Sequence, residues 1–144
     1  MPPNLSFENL KKDVKNGFVD TVIAAIPDMQ DRLKGKRIRA EFFVDQAWEE
    51  THCCQYLLAT DFEMNTVEGY SSTSWAKGYG DYVMKPDLDT LKRLPWSPGT
   101  AFVLCDVIDH HSHEEVAIAP RSILKKQLAR LGALGFSTAV ATEL

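Results

Sequence analysis

Residues 100–109, TAFVLCDVID, place seven apolar side chains in ten positions, with no glycine or proline inside the run. A stretch that short and that apolar, entered from Pro98-Gly99, reads as a β-strand. Other segments read the same way. FVDTVIAAIPDMQDRLKGKRI has apolar and β-branched residues on either side of a polar turn from Pro27 to Asp31, which predicts two strands, the second ending near Ile38. GDYVMK, closed by Pro86, predicts another strand, and the connector TLKRLPWSPG is rich in turn residues. In STAVATEL the side chains alternate: Ala139, Ala141 and Glu143 face one way, Val140, Thr142 and Leu144 the other.

Helices are predicted between these strands. Ser6 can cap a first helix with Phe7, Leu10 and Val14 on one face, and Gly17 ends it. Residues 40–59, AEFFVDQAWEETHCCQYLLA, contain no glycine or proline and align Phe43, Ala47, Cys54 and Leu58, which predicts one long helix. Pro120 suits a first helical turn, and SILKKQLARLGALGF gathers Ile123, Leu124, Leu128 and Leu131 on one flank before Gly135. The sum is an α+β chain.

At 144 residues and 44% hydrophobic content the chain is long enough for one domain with a substantial core. Its net charge of −4 comes with bases scattered along the chain, which argues against a nucleic-acid partner. With no run of 18 apolar residues, and an opening MPPNLSFENLKKD that lacks the apolar core of a signal peptide, neither a membrane span nor export is expected, and the expected location is cytoplasmic. Three cysteines, Cys53, Cys54 and Cys105, form no disulfide framework and no C-x-x-C motif, so they read as reduced, packing thiols. The Lys34-Gly35-Lys36 segment reads as a basic turn without the rest of a phosphate-binding loop. Asp109 to Glu115, DHHSHEE, carries metal-ligand residue types, but crowded into one short loop they read as a polar connector.

Residues 67–87, VEGYSSTSWAKGYGDYVMKPD, hold Tyr70, Trp75 and Tyr79 among small hydroxyls and glycines, the composition of a functional loop on a rigid scaffold. Together with DMQDRLKGKRI, FVLCDVIDHHSHEEVAIAPRSILKKQLARL and FSTAVATEL in that order, this segment resembles the N-terminal part of the glutamine synthetase family, from about residue 20 to the end. The likeness is greatest to members that join glutamate to larger amines, such as gamma-glutamylputrescine synthetase. It implies an N-terminal helix over 1–16, a β-grasp domain (a ubiquitin-like roll) over 17–110, and over 111–144 the first helix and strand of a larger catalytic domain.

The resemblance also implies roles. In the family, this loop crosses a subunit boundary in a homo-oligomeric ring and lines the amine site of the neighbouring subunit. Aligned on Trp75, the family's Asp-Gly-Ser-Ser is answered by Glu68, Gly69, Tyr70 and Ser71. Glu68 and Ser71 are thereby the candidate catalytic residues, with Tyr70 and Trp75 as candidate substrate contacts; by residue type alone, Glu68 is a solvated loop acid and Trp75 a loop anchor. A carboxylate there would attract an ammonium group and accept its proton, since an amine is nucleophilic only when deprotonated. The longer acid and the tyrosine favour an organic amine over ammonia. Glu143 answers the first acid of a family Glu-x-Glu strand that binds Mg²⁺ or Mn²⁺ around ATP, and the nucleotide- and glutamate-binding residues have no counterpart in these 144 residues. The expected function is that of the N-terminal part of an ATP-dependent glutamate-amine ligase, inactive by itself. The alternatives are an ammonia-using glutamine synthetase, or a truncated docking module or remnant without catalytic function.

Overall fold

A computed structural model describes residues 5–141 and residue 143. The elements in chain order are α1 (Phe7–Lys15), β1 (Thr21–Pro27), β2 (Leu33–Arg39), α2 (Ala40–Phe42), β3 (Thr51–Cys54), β4 (Asp81–Pro86), β5 (Lys92–Arg93), β6 (Thr100–Asp109) and α3 (Pro120–Ala133). A wide π turn, Phe43–Ala47, prolongs α2, and single 3₁₀ turns follow β3 and β4. The result is a mixed α/β fold around one sheet of order β2-β1-β6-β4-β3, with β5 alongside β6.

The apolar run 100–109 is the axis of this sheet. Its first half pairs in parallel with β1, from Thr21 opposite Thr100 to Ala25 opposite Leu104. Its second half pairs antiparallel with β4, from Tyr82 opposite Asp109 to Pro86 opposite Cys105. Ala101, Val103, Cys105 and Val107 point into the main core, while Phe102 packs on the other face with Ala25 and Leu94. A strand covered on both faces has no reason to alternate, which explains its composition. Against the main face lie Leu10 of α1 and Phe43 of the π turn, both with no accessible surface, beside Val22, Ile26, Met84 and Leu58. Each such side chain contributes about 1.5–3 kcal/mol through removal from water.

Local signals account for the ends of the elements. Ser6 Oγ accepts from the amide of Asn9 at 3.2 Å, and Gly17 takes a positive φ of 74° after α1. Pro120 occupies the first turn of α3, and Gly135 has φ 83° beyond its end.

Three expectations are corrected. The helix predicted over 40–59 stops after the π turn, and Thr51–Cys54 becomes a strand, with Thr51 opposite Met84 and Cys54 opposite Asp81. β4 offers an open edge there, and filling its ladder outweighs a helical period that arose by coincidence. Lys34-Gly35-Lys36 is the middle of β2 rather than a turn. The alternating segment at the end forms no strand over 137–141, where every residue is exposed and none has a ladder partner among the described residues; Thr142 and Leu144 lie outside them. α3 forms as expected, and its apolar flank is uncovered: Leu124 is 58% and Leu128 40% exposed. Ion pairs tie its first turns to the rest of the fold. Arg121 Nε donates to Asp106 Oδ1 at 2.8 Å and its other arm pairs with Asp87, while Lys125 reaches Asp106 Oδ2 at 2.7 Å.

Burial pushes the thiols of Cys53 and Cys105 up to about 12. A thiol in that state is a poor nucleophile at neutral pH. Native alkylation at pH 8 is therefore expected to label Cys54, which is half-buried, well before the other two, and all three should react once the chain is denatured. Mass spectrometry of the labelled peptides reads the order directly.

Candidate functional site

Between the 3₁₀ turn after β3 and the start of β4, the chain makes a long excursion without regular structure. Its stem is closed by backbone pairing: Val67 N donates to Ala59 O at 2.8 Å, and Thr60 bridges Thr66. Its far end is closed by Gln55, whose amide donates to Gly80 O at 2.9 Å while its Oε1 accepts from Gly80 N at 3.3 Å.

Within the excursion Trp75 is 68% exposed, with its indole Nε1 donating to Thr66 Oγ1 at 3.2 Å. Tyr79 meets Trp75 edge to face at 5.0 Å and Tyr56 at 6.2 Å. Lys77 Nζ donates to the carbonyl of Ser71, and Thr73 is buried beneath. Gly69 at φ 98° and Gly78 at φ 77° occupy conformations that side-chain-bearing residues seldom adopt. This is a structured loop.

The predicted residues begin directly after the stem. Glu68 and Ser71 are exposed, and Tyr70 is half-buried. Glu68, Tyr70, Ser71 and Trp75 lie on one surface loop because they are near neighbours in sequence. Glu143 is exposed and apart from any ligand cluster: among the described residues no three His, Cys, Asp or Glu side chains converge as a metal site. Asp109 is occupied locally, its Oδ1 accepting from the amides of Ser112 at 2.8 Å and His111 at 3.0 Å; these bonds lower its carboxyl pKa. An open concavity of about 510 Å³ lined by Trp48, Glu50, Lys85, Leu88, Ile108 and His113 includes none of the candidate residues.

Sequence reading missed what lies beneath the stem. Asp28, 1% exposed in the β1–β2 turn, accepts from the amides of Gln30 at 2.8 Å and Arg32 at 2.9 Å and from Arg32 Nε at 2.8 Å. Lys34 Nζ lies 3.0 Å from its Oδ2. Burial alone would raise the carboxyl, but the amide donors of Arg32 and Gln30, followed by the Lys34 and Arg32 side chains, outweigh it and bring it down to about 2. The available signal was an acid directly after Pro27, with bases four and six residues later.

No family model matches the chain. It is 49% identical, over 99% of its length, to gamma-glutamylethanolamide synthetase GlnA4 of Streptomyces coelicolor, and 34% identical, over 87%, to glutamate–isopropylamine ligase of a Pseudomonas species. It spans 31% and 27% of those relatives' lengths. A solved structure of GmaS with ADP superposes on 87% of the chain and 26% of that protein, with a TM-score of 0.62 at 21% identity, a likeness of fold. The chain thus belongs to the glutamine synthetase family. Within it, the chain is similar to gamma-glutamylamine synthetase-like members. Among the described residues no helix is long and apolar enough to cross a membrane.

Proposed function

We propose that this chain is the N-terminal, amine-side part of an ATP-dependent ligase that joins glutamate to an organic amine through a gamma-glutamyl amide bond. The observation that carries the reading is the 49% identity to a gamma-glutamylethanolamide synthetase across nearly the whole chain. Residues 17–110 are read as a β-grasp domain, an assignment supported by the parallel β1–β6 pair with antiparallel neighbours outside it. Residues 111–144 are the start of a catalytic domain, and the whole protein works in the cytoplasm as a homo-oligomeric ring.

In this reading the loop enters the amine site of an adjoining subunit. Glu68 attracts the substrate ammonium and takes its proton, Ser71 and Tyr70 shape the pocket, and Trp75 braces the loop. The freed amine nitrogen attacks the gamma-glutamyl phosphate carbon; the new C–N bond forms as the C–O bond to phosphate breaks, and phosphate leaves. ATP and Mg²⁺ or Mn²⁺ would supply that activated glutamate. Glu143 is a single exposed carboxylate and makes no octahedral site alone, so its part would be one ligand among residues beyond this chain.

The test is an amine panel of ethanolamine, isopropylamine, putrescine and ammonia on a full-length ligase carrying this segment. Glu68→Ala is expected to lower kcat/KM for the preferred amine by about 10²-fold, the ordinary contribution of a general base, with the glutamate KM moving less than about twofold. An unchanged amine dependence would remove Glu68 from the site.

A further inference from the structure

The stem of the 59–80 loop rests on a set of charged side chains from the β1–β2 hairpin. Arg32 NH1 donates to Phe62 O at 2.6 Å and NH2 to Asp61 O at 2.8 Å. Gln30 Nε2 donates to Thr60 O at 3.0 Å, and Lys34 Nζ to Leu57 O at 3.1 Å and to Thr60 Oγ1. Thus donors from three hairpin side chains grip the carbonyls of residues 57 and 60–62. Asp28 fixes two of the three by ion pairing, with its own carboxylate held by the turn amides.

Packing alone does not call for this arrangement. Lys34 is 8% exposed on a strand whose neighbours Lys36 and Arg37 face solvent, and burying an ammonium is costly without compensating partners. Among the described residues its partners are Asp28, Thr60 of the stem and Leu57 in the 3₁₀ turn that leads into it. The Arg32 guanidinium also lies 5.1 Å from the Phe62 ring centre, so it holds the stem by stacking as well as by hydrogen bonds. Just beyond, Asp61 organises the next turn, accepting from the amides of Glu63 and Asn65, both at 2.9 Å. The register set at residues 57–62 therefore passes directly into the segment that ends at Glu68.

From this geometry we infer that Arg32 and Lys34, held by Asp28, are positioning residues that fix the amine-site loop relative to the sheet, an inference that rests on the loop's role proposed above. The clamp touches no substrate. It sets where Glu68 is presented, so loosening it acts on amine binding and leaves the glutamate side alone.

Arg32→Met tests this with the fold intact, because the Arg32 side chain is 28% exposed and Asp28 retains Lys34 and its turn amides. Hydrogen exchange on the chain is expected to quicken at least about tenfold at the amides of Asp61, Met64 and Val67, with β6 unchanged. In the full-length ligase the amine KM should rise about tenfold, glutamate KM and ATP KM should hold, and Arg32→Lys should recover part of the loss. Unchanged exchange in the stem would overturn the clamp. Faster exchange with an unmoved amine KM would overturn the positioning role, and Glu68→Ala assayed beside it separates the two failures. If Glu68→Ala lowers kcat/KM for the amine, the loop is the amine wall and only the clamp's part falls; if it does not, the site reading falls as well.

Discussion

Asp28→Asn is expected to lower the folding free energy of the chain by about 3–5 kcal/mol at pH 7, the cost of breaking a buried ion pair from one side. The asparagine cannot balance the Lys34 ammonium, whose side chain is 7% exposed and retains only the neutral acceptors Leu57 O and Thr60 Oγ1. It also offers an amide group where the native carboxylate accepts only. The pH dependence has a definite sign. The Asp28 carboxyl is lowered in the folded chain from 3.8 to about 2, so its stabilisation is fully present above the ordinary value and is lost as the pH falls through about 2. That shift corresponds to about 2 kcal/mol, the part of the difference that acid should erase. Denaturant unfolding of both chains at pH 7, 4.5 and 2.5 measures it. A difference below about 1 kcal/mol at pH 7, or one indifferent to acid, would show that the pair contributes little net stability.

This clamp is also the clearest case of what the sequence concealed. β1, β4 and β6 were legible because their apolar runs end at turn residues, and α1 and α3 because Ser6, Gly17, Pro120 and Gly135 mark their limits. Those are local signals. Lys34 sits in a basic stretch that any composition rule sends to the surface, and its partner Thr60 is 26 residues away. Only the fold joins them. The helix expected over 40–59 failed for a related reason: of the aligned side chains, Phe43, Ala47 and Leu58 share one core but reach it from a π turn and a 3₁₀ turn, and the strand between them buries Cys53 in place of the aligned Cys54. Burial was anticipated for Phe43, Ala47 and Leu58, and helical periodicity picked the wrong cysteine. For the loop, the residues were readable from the family pattern, whereas its bracing by Thr66, Tyr56 and Gln55 depends on contacts no pattern records.

Gly35→Ala is expected to be the most damaging single-methyl change in the chain. Gly35 lies opposite Ala25 in the β1–β2 ladder, and a Cβ built on it would sit 2.0 Å from Ala24 O, 2.7 Å from Ala25 Cα and 2.9 Å from Ala24 C. All three are backbone atoms of β1, which is itself locked in parallel to β6, so no side-chain rotation can relieve the clash. Either β2 lifts off its neighbour or β1 distorts within the sheet. The first response also drags away Lys34, the residue before it, and with it the grip on Thr60. Ordinary overpacking costs about 1–3 kcal/mol, and a collision with fixed backbone should reach or exceed the upper end, lowering Tm by about 6–12 °C. Gly132→Ala provides the contrast: it lies within α3 with nothing inside 4 Å of its would-be Cβ, and relief of glycine's helix penalty should stabilise that helix by about 0.5–1 kcal/mol. Circular-dichroism melts of the two variants should therefore move in opposite directions. If Gly35→Ala melted within about 1 °C of the native chain, the close β1–β2 approach would not be the reason for glycine there, and the register that delivers Lys34 to Asp28 would need to be redrawn.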